Sequence, residues 1–344
     1  MYAVKAAILA TIMVLACGIP AFSAPITDEI DQIFRTAEAE GKFSGSILVI
    51  RAGATLYERS FGPANKALRI PNTAASQFLI ASVSKPFTAI AILKLFQQGK
   101  LRLDDRLESI FPELKGAAVA DVTIAQLLSH TSGMEEVVGK HLDRPLIPDD
   151  LKTAALASKP GDFQYSNSAY VVLKLVLEKI SGRSYGEIID TLIFEPAGMR
   201  NSGILRDSAP PPRLSLAYKT AHAVTPMPRI VPLELFDGPG TIFSTTGDLY
   251  LFDKAIRDGK LLNPANQALM SSGHTPSGNW GYGWARNETG GKYSLAHQGD
   301  FNGYHAVLTR RIATHDLLII LSNLDTAPVV TLQKQVLETL EQKH

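Results

Sequence analysis

The sequence predicts an α/β fold in which the two ends of the chain build one antiparallel sheet flanked by helices. Three observations support this prediction: the chain opens with a helix and two strands, its middle is mostly helical, and its end returns to strands and a last helix. With 344 residues, 45% of them hydrophobic, the chain is long and apolar enough to bury a large core.

The first elements are a helix over residues 28–40 and two strands over residues 45–51 and 55–61. Apolar residues follow a helical spacing in the first segment and a strand pattern in the other two. Ala52-Gly53-Ala54 separates the two strands by a tight turn. The chain therefore begins with a helix followed by a β-hairpin.

The middle of the chain contains four predicted helices, over residues 82–98, 123–129, 167–181 and 185–193. Gly99 and Gly182 follow the first and third of them, and Pro196 follows the last. Glycine and proline at these positions are typical helix-ending signals.

The last part of the chain has β-rich runs at residues 293–297, 304–311 and 317–322 and an amphipathic helix at 328–340. We therefore expect an α/β subdomain from about residues 25–81 and 235–344, with an inserted all-α subdomain from about residues 82–234. The junction of two such halves forms a cleft, and pockets favour such junctions.

Charge and cysteine content exclude several classes of function. The formal net charge is +1 and no basic run is present, so the sequence has no electrostatic signature of nucleic-acid binding. The single cysteine, Cys17, excludes an internal disulfide framework and a multi-cysteine zinc site.

Residues 1–24 have the pattern of a secretory signal peptide. Lys5 precedes an apolar run over 6–16, and Ala21-Phe22-Ser23-Ala24 is a small-residue cleavage pattern. The run is shorter than the roughly 20 residues that span a bilayer. We expect a secreted or periplasmic mature chain, 25–344, without an integral membrane span. In an alternative interpretation, the segment ending at Cys17 is a lipoprotein cleavage site and Cys17 carries a lipid anchor.

Several common catalytic motifs are missing from the sequence: the G-x-S-x-G nucleophile elbow, the phosphate loop, the dinucleotide-binding glycine pattern and H-E-x-x-H. The eight histidines include no i, i+4 pair, so we expect no metal site.

The remaining candidate is Ser82-Val83-Ser84-Lys85, at the head of the longest apolar helix. Residues three apart lie on one face of a helix, so the Lys85 amine can reach the Ser82 hydroxyl. Burial at the head of an apolar helix would lower the pKa of Lys85 toward that of a base. In the alternative interpretation, Ser82 caps the helix and Lys85 extends to the surface.

Five further blocks carry a resemblance to a known family: Leu127–Met134, which reads LLSHTSGM; Pro160-Gly161 followed by Tyr165-Ser166-Asn167; Pro196–Met199; Ser244-Thr245 with Asp248; and His297-Gln298-Gly299. Together with 80–89, these blocks resemble the serine β-lactamase and penicillin-binding-protein superfamily, specifically its class C β-lactamase-like family. The resemblance runs from about Ile30 to Asn323 and implies a β-lactamase/transpeptidase-like fold.

The resemblance implies a role for each catalytic motif residue. Ser82 would be the acylated nucleophile, Lys85 its proton partner, and Tyr165 a base if Lys85 lowers its pKa. Asn167 would bind the substrate amide or Lys85, and could also cap the helix that follows. The sequence leaves open whether Lys85 or Tyr165 takes the proton.

The third motif would bind substrate through His297, Gln298, Gly299 and Asp300, with the N–H groups of Ser82 and Asp300 forming the oxyanion hole. His297 is expected at a strand end, with Gly299 allowing close approach of a ligand. Where the family's β-lactamases mostly carry lysine, this chain has His297, which is largely neutral near pH 7. The resemblance therefore implies weaker recognition of a substrate carboxylate.

These observations predict a secreted serine hydrolase that opens amide or ester bonds through a Ser82 acyl-enzyme, without metal or organic cofactor. The resemblance implies a D,D-peptidase, D-aminopeptidase or esterase that acts on a small molecule or peptide, with cell-wall peptide or a β-lactam as candidate partners. The alternatives are a β-lactamase and a non-catalytic penicillin-recognising module.

Overall fold

The computed structural model describes residues 25–138, 143–229, 231–289 and 292–342. The predicted signal peptide and Cys17 lie outside the described residues. The helices are α1 Ile26–Ala39, α2 Ser84–Gln97, α3 Leu107–Ile110, α4 Ile124–Leu128, α5 Asn167–Ser181, α6 Tyr185–Ile189, α7 Glu195–Ala197, α8 Thr246–Arg257, α9 Pro264–Ser271 and α10 Val329–Gln342. The strands are β1 Gly45–Arg51, β2 Ala54–Phe61, β3 Pro63–Asn65, β4 Ile70–Pro71, β5 Phe78–Leu79, β6 Gly203–Ile204, β7 Ile242–Ser244, β8 Ala285–Thr289, β9 Lys292–Phe301, β10 Tyr304–Arg311 and β11 Asp316–Ser322.

The main sheet joins the two ends of the chain, as predicted. Its six strands lie in the order β2-β1-β11-β10-β9-β8, and every neighbouring pair is antiparallel. The N-terminal strand β1 therefore pairs with the C-terminal strand β11, in a register that places Ile47 opposite Ile320. The central strands β1, β10 and β11 are almost entirely buried, which fixes the sheet as the scaffold of the molecule.

Successive side chains of a strand point to opposite faces of the sheet, and each face has its own core. On one face, Ile47 and Ile320 pack with the terminal helices α1 and α10 through residues such as Phe34 and Val336. On the other face, residues such as Ile319 join a larger core that includes the helices of the chain's middle. The second face is the one that carries α2.

Helix α2 is the most buried helix of the fold. Ten consecutive residues from Ser84 to Leu93 are buried, as the apolar run predicted. A short 3-10 turn, Ala81–Val83, precedes α2, so Ser82 lies just before the helix rather than inside it. The turn packs against β9, and this contact brings the head of α2 to the edge of the main sheet.

The structure adds elements that the sequence pattern did not predict. Helices α8 and α9 and the edge strand β8 were missed. The run predicted as a strand over 293–297 is the first half of the longer strand β9. The inserted segment also contributes the two-residue strand β6, which pairs with β7.

Candidate active site

Ser82 and Lys85 meet at the head of α2. The Nζ atom of Lys85 lies 3.0 Å from the Oγ atom of Ser82. Lys85 is fully buried while Ser82 is partly exposed, so the interpretation in which Lys85 extends to the surface is wrong. Ala81, directly before Ser82, has a φ of +45°, a strained conformation for a residue with a side chain. Such strain is often found where a functional residue is held in place.

Lys85 is surrounded by hydrogen-bond acceptors. Its Nζ atom lies 2.8 Å from Oδ1 of Asn167 and 3.4 Å from the carbonyl oxygen of Pro239. Burial lowers the pKa of Lys85 to about 7, and the negative charge of Glu136 opposes part of this effect. A lysine with this pKa is divided between its amine and its ammonium form near neutral pH, so it can accept a proton from Ser82.

Tyr165 and Asn167 reach the same place from the start of α5. The Nζ atom of Lys85 lies 4.7 Å from the centre of the Tyr165 ring. The residue in the helix-capping position is Ser166, whose Oγ accepts the N–H of Ala169 at 3.1 Å, so the suggestion that Asn167 is the cap was wrong. Because Ser166 satisfies the helix end, the Asn167 side chain is free to bind Lys85.

Tyr165 keeps its proton at neutral pH. It is 40% exposed, yet burial raises the pKa of its hydroxyl to about 12, and a hydrogen bond with Ser82 only partly opposes this. Of the two candidate bases that the sequence left open, Lys85 is thus the group whose pKa lies near 7.

The third motif lies on β9, and one expectation about it was wrong. His297 does not end a strand; it lies in the middle of β9, opposite Leu308 of β10. The side chain of His297 is buried, whereas Gln298 and Asp300 are exposed. The carboxylate of Asp300 bonds to His305, the residue opposite it on β10. The predicted strand was too short because Gln298-Gly299-Asp300 resembles a polar turn.

Gly299 brings β9 against the nucleophile. A Cβ atom at this position would lie 2.2 Å from the carbonyl oxygen of Ile80 and 2.9 Å from the backbone nitrogen of Ser82. Both distances are too short for any side chain, so only glycine allows this approach.

The backbone N–H of Asp300 is left unpaired by the strand register of β9 and β10. Phe301 and Tyr304 close the two-residue hairpin at Asn302-Gly303, and such closing pairs exchange hydrogen bonds with each other. The next pair, Asp300 with His305, therefore directs its backbone groups away from the partner strand. Strand β8 pairs with β9 only as far as Ala296, so the N–H of Asp300 has no partner in the sheet, and β9 packs against the turn that contains Ser82.

His297 is neutral. Burial is the main cause that lowers its pKa to about 3, and the charge of Lys85 adds to the effect. Its Nδ1 atom lies 2.7 Å from the carbonyl oxygen of Gln298, so Nδ1 carries the proton. The Nε2 atom is a buried acceptor with no hydrogen-bond partner among the residues that the structure describes.

An aromatic wall, formed by His130, Phe163, Tyr165, Trp280 and His297, borders the nucleophile. The His130 ring stacks on Tyr165 with 4.4 Å between ring centres, and Trp280 meets both rings edge-on. Phe163 packs on Trp280 and is 41% exposed. Phe163 therefore lies beside the site.

The aromatic residues Tyr282, Trp284 and Tyr304 are buried and belong to the core rather than to the wall. Sequence reasoning did not identify Trp280, and it gave His130 no role although His130 lies inside a quoted block. His130 is fully buried, has a φ of +58°, and accepts the N–H of Ser166 at its Nδ1 atom. It therefore holds both the ring and the backbone of the Tyr165 segment.

Glu136 is a further residue that sequence reasoning missed. Its carboxylate accepts the backbone N–H of Asn167 at 2.8 Å and that of Ser168 at 3.0 Å. A pair of acidic residues after the HTSGM segment was its only sequence signal.

The described part of the chain lacks a group of three or more His, Cys, Asp or Glu side chains arranged to hold a metal ion. No helix in the same residues has both the length and the apolar character needed to cross a membrane.

The antiparallel sheet, the buried helix headed by a Ser-Lys pair and the Tyr-x-Asn segment beside it define the β-lactamase/transpeptidase class of fold. The Beta-lactamase family model matches residues 30–341. The chain therefore belongs to the Beta-lactamase family, within the serine β-lactamase and penicillin-binding-protein superfamily.

The names of two similar proteins agree with the family assignment. A penicillin-binding protein of Bacillus subtilis (strain 168) is 31% identical over 325 residues, which cover 86% of this chain and 71% of the relative. Esterase EstB of Burkholderia gladioli is 33% identical over 221 residues, 57% of this chain and 55% of the esterase.

Solved structures show the same fold. A penicillin-binding protein of Bacillus halodurans superimposes with a TM-score of 0.74 at 26% identity, covering 92% of this chain and 99% of that one. A D-amino acid amidase of Ochrobactrum anthropi SV3 superimposes with a TM-score of 0.79 at 23% identity over 92% of this chain and 99% of the amidase.

Proposed function

We propose that this protein is a secreted or periplasmic serine hydrolase that opens amide or ester bonds through an acyl-enzyme on Ser82. One observation carries the proposal: a fully buried lysine, Lys85, lies 3.0 Å from the Ser82 hydroxyl and has a pKa of about 7. A serine hydroxyl is a weak nucleophile unless a base takes its proton. Lys85 lies close enough to take the Ser82 proton, and its pKa allows it to do so near neutral pH.

In the acylation step, the Oγ atom of Ser82 attacks the substrate carbonyl carbon while its proton passes to the Lys85 amine. The carbonyl oxygen becomes an oxyanion, which the N–H groups of Ser82 and Asp300 stabilise. The Ser82 N–H lies in the first turn of a helical segment, where N–H groups lack an intrahelical acceptor. The approach of Gly299 to Ser82 sets the position of the Asp300 N–H.

The leaving group then departs with a proton. Tyr165 is the donor, because its hydroxyl keeps its proton at neutral pH and lies in hydrogen-bond contact with Ser82. The Lys85 ammonium returns a proton to Tyr165. Water then attacks the acyl-enzyme with the same groups in reversed roles, and free Ser82 and the acid product are released.

Neutral His297 favours substrates without a carboxylate beside the scissile bond. A fixed cation at this position would bind such a carboxylate, whereas the imidazole of His297 is uncharged over the physiological range. We therefore infer a D-aminopeptidase-like or esterase-like activity, ahead of a D,D-peptidase-like activity, whose substrates carry a carboxylate beside the scissile bond. The relatives named as an amidase and an esterase support this inference. The proposed mechanism uses side chains and backbone groups alone, without a cofactor.

The test is a substrate panel with the mature protein, residues 25–344: D-amino-acid amides, D-Ala-D-Ala peptides, short and long p-nitrophenyl esters and nitrocefin. We expect hydrolysis of at least one amide or ester, and loss of that hydrolysis in Ser82→Ala. Unchanged hydrolysis in Ser82→Ala would contradict the proposal. Mass spectrometry of the N-terminus of the secreted protein separates cleavage near Ala24 from a lipid anchor on Cys17.

A penicillin-recognising module that does not turn over is the second candidate, and the name of the Bacillus subtilis relative supports it. A penicillin adduct on Ser82 that persists, together with no turnover of any panel substrate, would favour this candidate. Efficient hydrolysis of nitrocefin above all esters and amides would instead favour a β-lactamase.

A further inference from the structure

We propose that Glu136 is a positioning residue of this site: its carboxylate fixes the start of α5, and with it Asn167, against Lys85 and supplies a negative charge that acts on Lys85. The proposal rests on the proposed function, since it assigns how the Ser82–Lys85 pair is held and tuned. It gives a role to a residue that lies outside every motif that the sequence resemblance identified.

Both carboxylate oxygens of Glu136 accept hydrogen bonds from the start of α5, so the carboxylate caps this helix. One carboxylate oxygen, Oε2, accepts the N–H of Asn167 at 2.8 Å. The other, Oε1, accepts the N–H of Ser168 at 3.0 Å and the Ser168 hydroxyl at 2.9 Å. A carboxylate at a helix N-terminus is also stabilised by the helix dipole. Both ends of the carboxylate are therefore engaged by the first two residues of α5.

Ser168 ties the Glu136 segment back to the helix. Its side chain is fully buried, and its Oγ atom accepts the N–H groups of Val137 at 2.9 Å and Val138 at 3.1 Å. Glu136 and the two residues after it are thus bound to α5 in both directions. This closed set of hydrogen bonds leaves Asn167 little freedom to move relative to Lys85.

Asn167 links the position of α5 to Lys85, the proposed base. Its backbone N–H is held by Glu136, and its Oδ1 atom receives the Lys85 Nζ atom at 2.8 Å. A shift of the start of α5 would move this oxygen, and Lys85 would lose one of its hydrogen-bond partners. The distance between Lys85 and Ser82 therefore depends on Glu136 through one intervening residue.

Glu136 differs from the other ionisable groups named around Lys85 because it carries a negative charge. His130 and His297 are near enough to Lys85 for its charge to lower their pKa values, and both are neutral. Tyr165 and Tyr170 present their rings to the Nζ atom and keep their protons. Glu136 supplies the negative charge that raises the pKa of Lys85 against the effect of burial. Removal of this charge should therefore lower the pKa of Lys85.

The experiment compares Glu136→Gln with two matched controls. Glu135→Gln makes the same change one residue earlier, where the carboxylate accepts the N–H of Ala155 instead of contacting α5. Ser168→Ala removes a contact of Glu136 but keeps its charge. Two measurements are made on each variant: the pH profile of kcat/KM for the best panel ester, and an NMR titration of ¹³C-labelled lysine, with Lys85 assigned by Lys85→Met.

We expect Glu136→Gln to lower the pKa of Lys85 by about 1 unit, since a nearby opposite charge shifts a pKa by about that much or more. The acid limb of kcat/KM should move to lower pH by the same amount, because Lys85 is the base. The plateau of kcat/KM should fall about tenfold, because the amide group cannot accept both N–H groups of α5. Glu135→Gln should match the wild type in both measurements, and Ser168→Ala should leave the Lys85 pKa in place.

An unchanged Lys85 pKa in folded Glu136→Gln would overturn the proposal. If Glu136→Gln does not fold, Glu136→Asp replaces it: the charge is kept and the side chain is shortened, so the plateau should fall while the acid limb stays in place. An unchanged plateau in Glu136→Asp would then overturn the positioning role. The NMR titration needs no turnover, so its result is separate from the Ser82→Ala test of the proposed function.

Discussion

The two sides of the site at Ser82 differ in how burial acts on their ionisable groups. On the polar side, formed by Ser82, Lys85 and Asn167, burial lowers the pKa of Lys85 from 10.5 to about 7. On the aromatic wall, burial lowers the pKa of His297 from 6.5 to about 3. The same physical cause leaves the lysine able to exchange a proton near neutral pH and the histidine permanently neutral.

Because their pKa values differ in this way, the two sides of the site have different functions. The polar side has charge, hydrogen bonds and a nearby carboxylate, and so can move protons. The aromatic wall offers ring faces and uncharged imidazoles, and so provides apolar contacts but no cation for a substrate carboxylate. The predictions that follow alter first the polar side, then the contact where the two sides meet, and then the aromatic wall.

The largest effect is expected on the polar side. Lys85→Met should lower kcat/KM by about 1,000-fold, within the range that general-base catalysis contributes. Methionine fits a buried helical position and removes a buried amine, so circular dichroism and thermal unfolding should show a folded protein. Activity within tenfold of the wild type would mean that Tyr165 alone can activate Ser82.

The next effect is expected where the two sides meet. Gly299→Ala would place a Cβ atom 2.2 Å from the carbonyl oxygen of Ile80, so β9 must move away from Ser82. We expect kcat to fall about 100-fold, the loss typical of one misplaced oxyanion donor, with a much smaller change in KM. Gly247→Ala is the control, because the nearest atom to its new Cβ lies 3.9 Å away. Equal kcat values for the two variants would argue against the Gly299 contact.

A smaller effect is expected on the aromatic wall. His297→Lys introduces an amine that is held as a cation when a substrate carboxylate pairs with it, so it should favour an acyl-D-Ala-D-Ala acid over the matching C-terminal amide by about tenfold relative to the wild type. His297→Gln, which stays neutral, should leave this ratio unchanged. The ratio of kcat/KM for the two peptides is the measurement, and an unchanged ratio in folded His297→Lys would show that recognition of the carboxylate lies elsewhere.

The sequence predicted the polar side far better than the aromatic wall. Ser82 and Lys85 are three residues apart, and their meeting follows from helix geometry alone. Tyr165 and Asn167 lie 80 or more residues further along the chain, and the family resemblance predicted that they join Lys85. Trp280, by contrast, lies in no motif of that resemblance, and it meets His130 and Tyr165 from a loop more than 100 residues away along the chain. No local pattern encodes such a contact, since it depends on how the sheet places its edge strands.

Glu136 and His297 show two further limits of prediction from sequence. Glu136 acts on residues 31 and 32 positions later, through a loop whose path only tertiary packing determines. His297 was expected at a strand end because the glycine and polar residues after it resemble a turn. In the structure, β9 continues through them, because Gly299 allows the strand to lie against the Ser82 turn.

The sequence likewise predicted the buried strands of the fold but missed an edge strand and a helix. Strands β1, β10 and β11 were found because they are buried and rich in β-forming residues. Strand β8, which reads Ala-Arg-Asn-Glu-Thr, was missed because an edge strand carries polar residues. Helix α8 had a usable signal, since Thr245 accepts the N–H of Asp248 as a typical helix cap.

The central claim is that unprotonated Lys85 activates Ser82, and the most direct test is the pH dependence of Ser82 acylation by a fluorophosphonate probe. Mass spectrometry of the labelled peptide confirms the site, and the labelling rate is measured from about pH 5 to about pH 9. We predict a rate that falls tenfold per pH unit below an apparent pKa near 7, and levels off above it. A rate that is flat across this range, or that still rises tenfold per unit at its alkaline end, would contradict the claim.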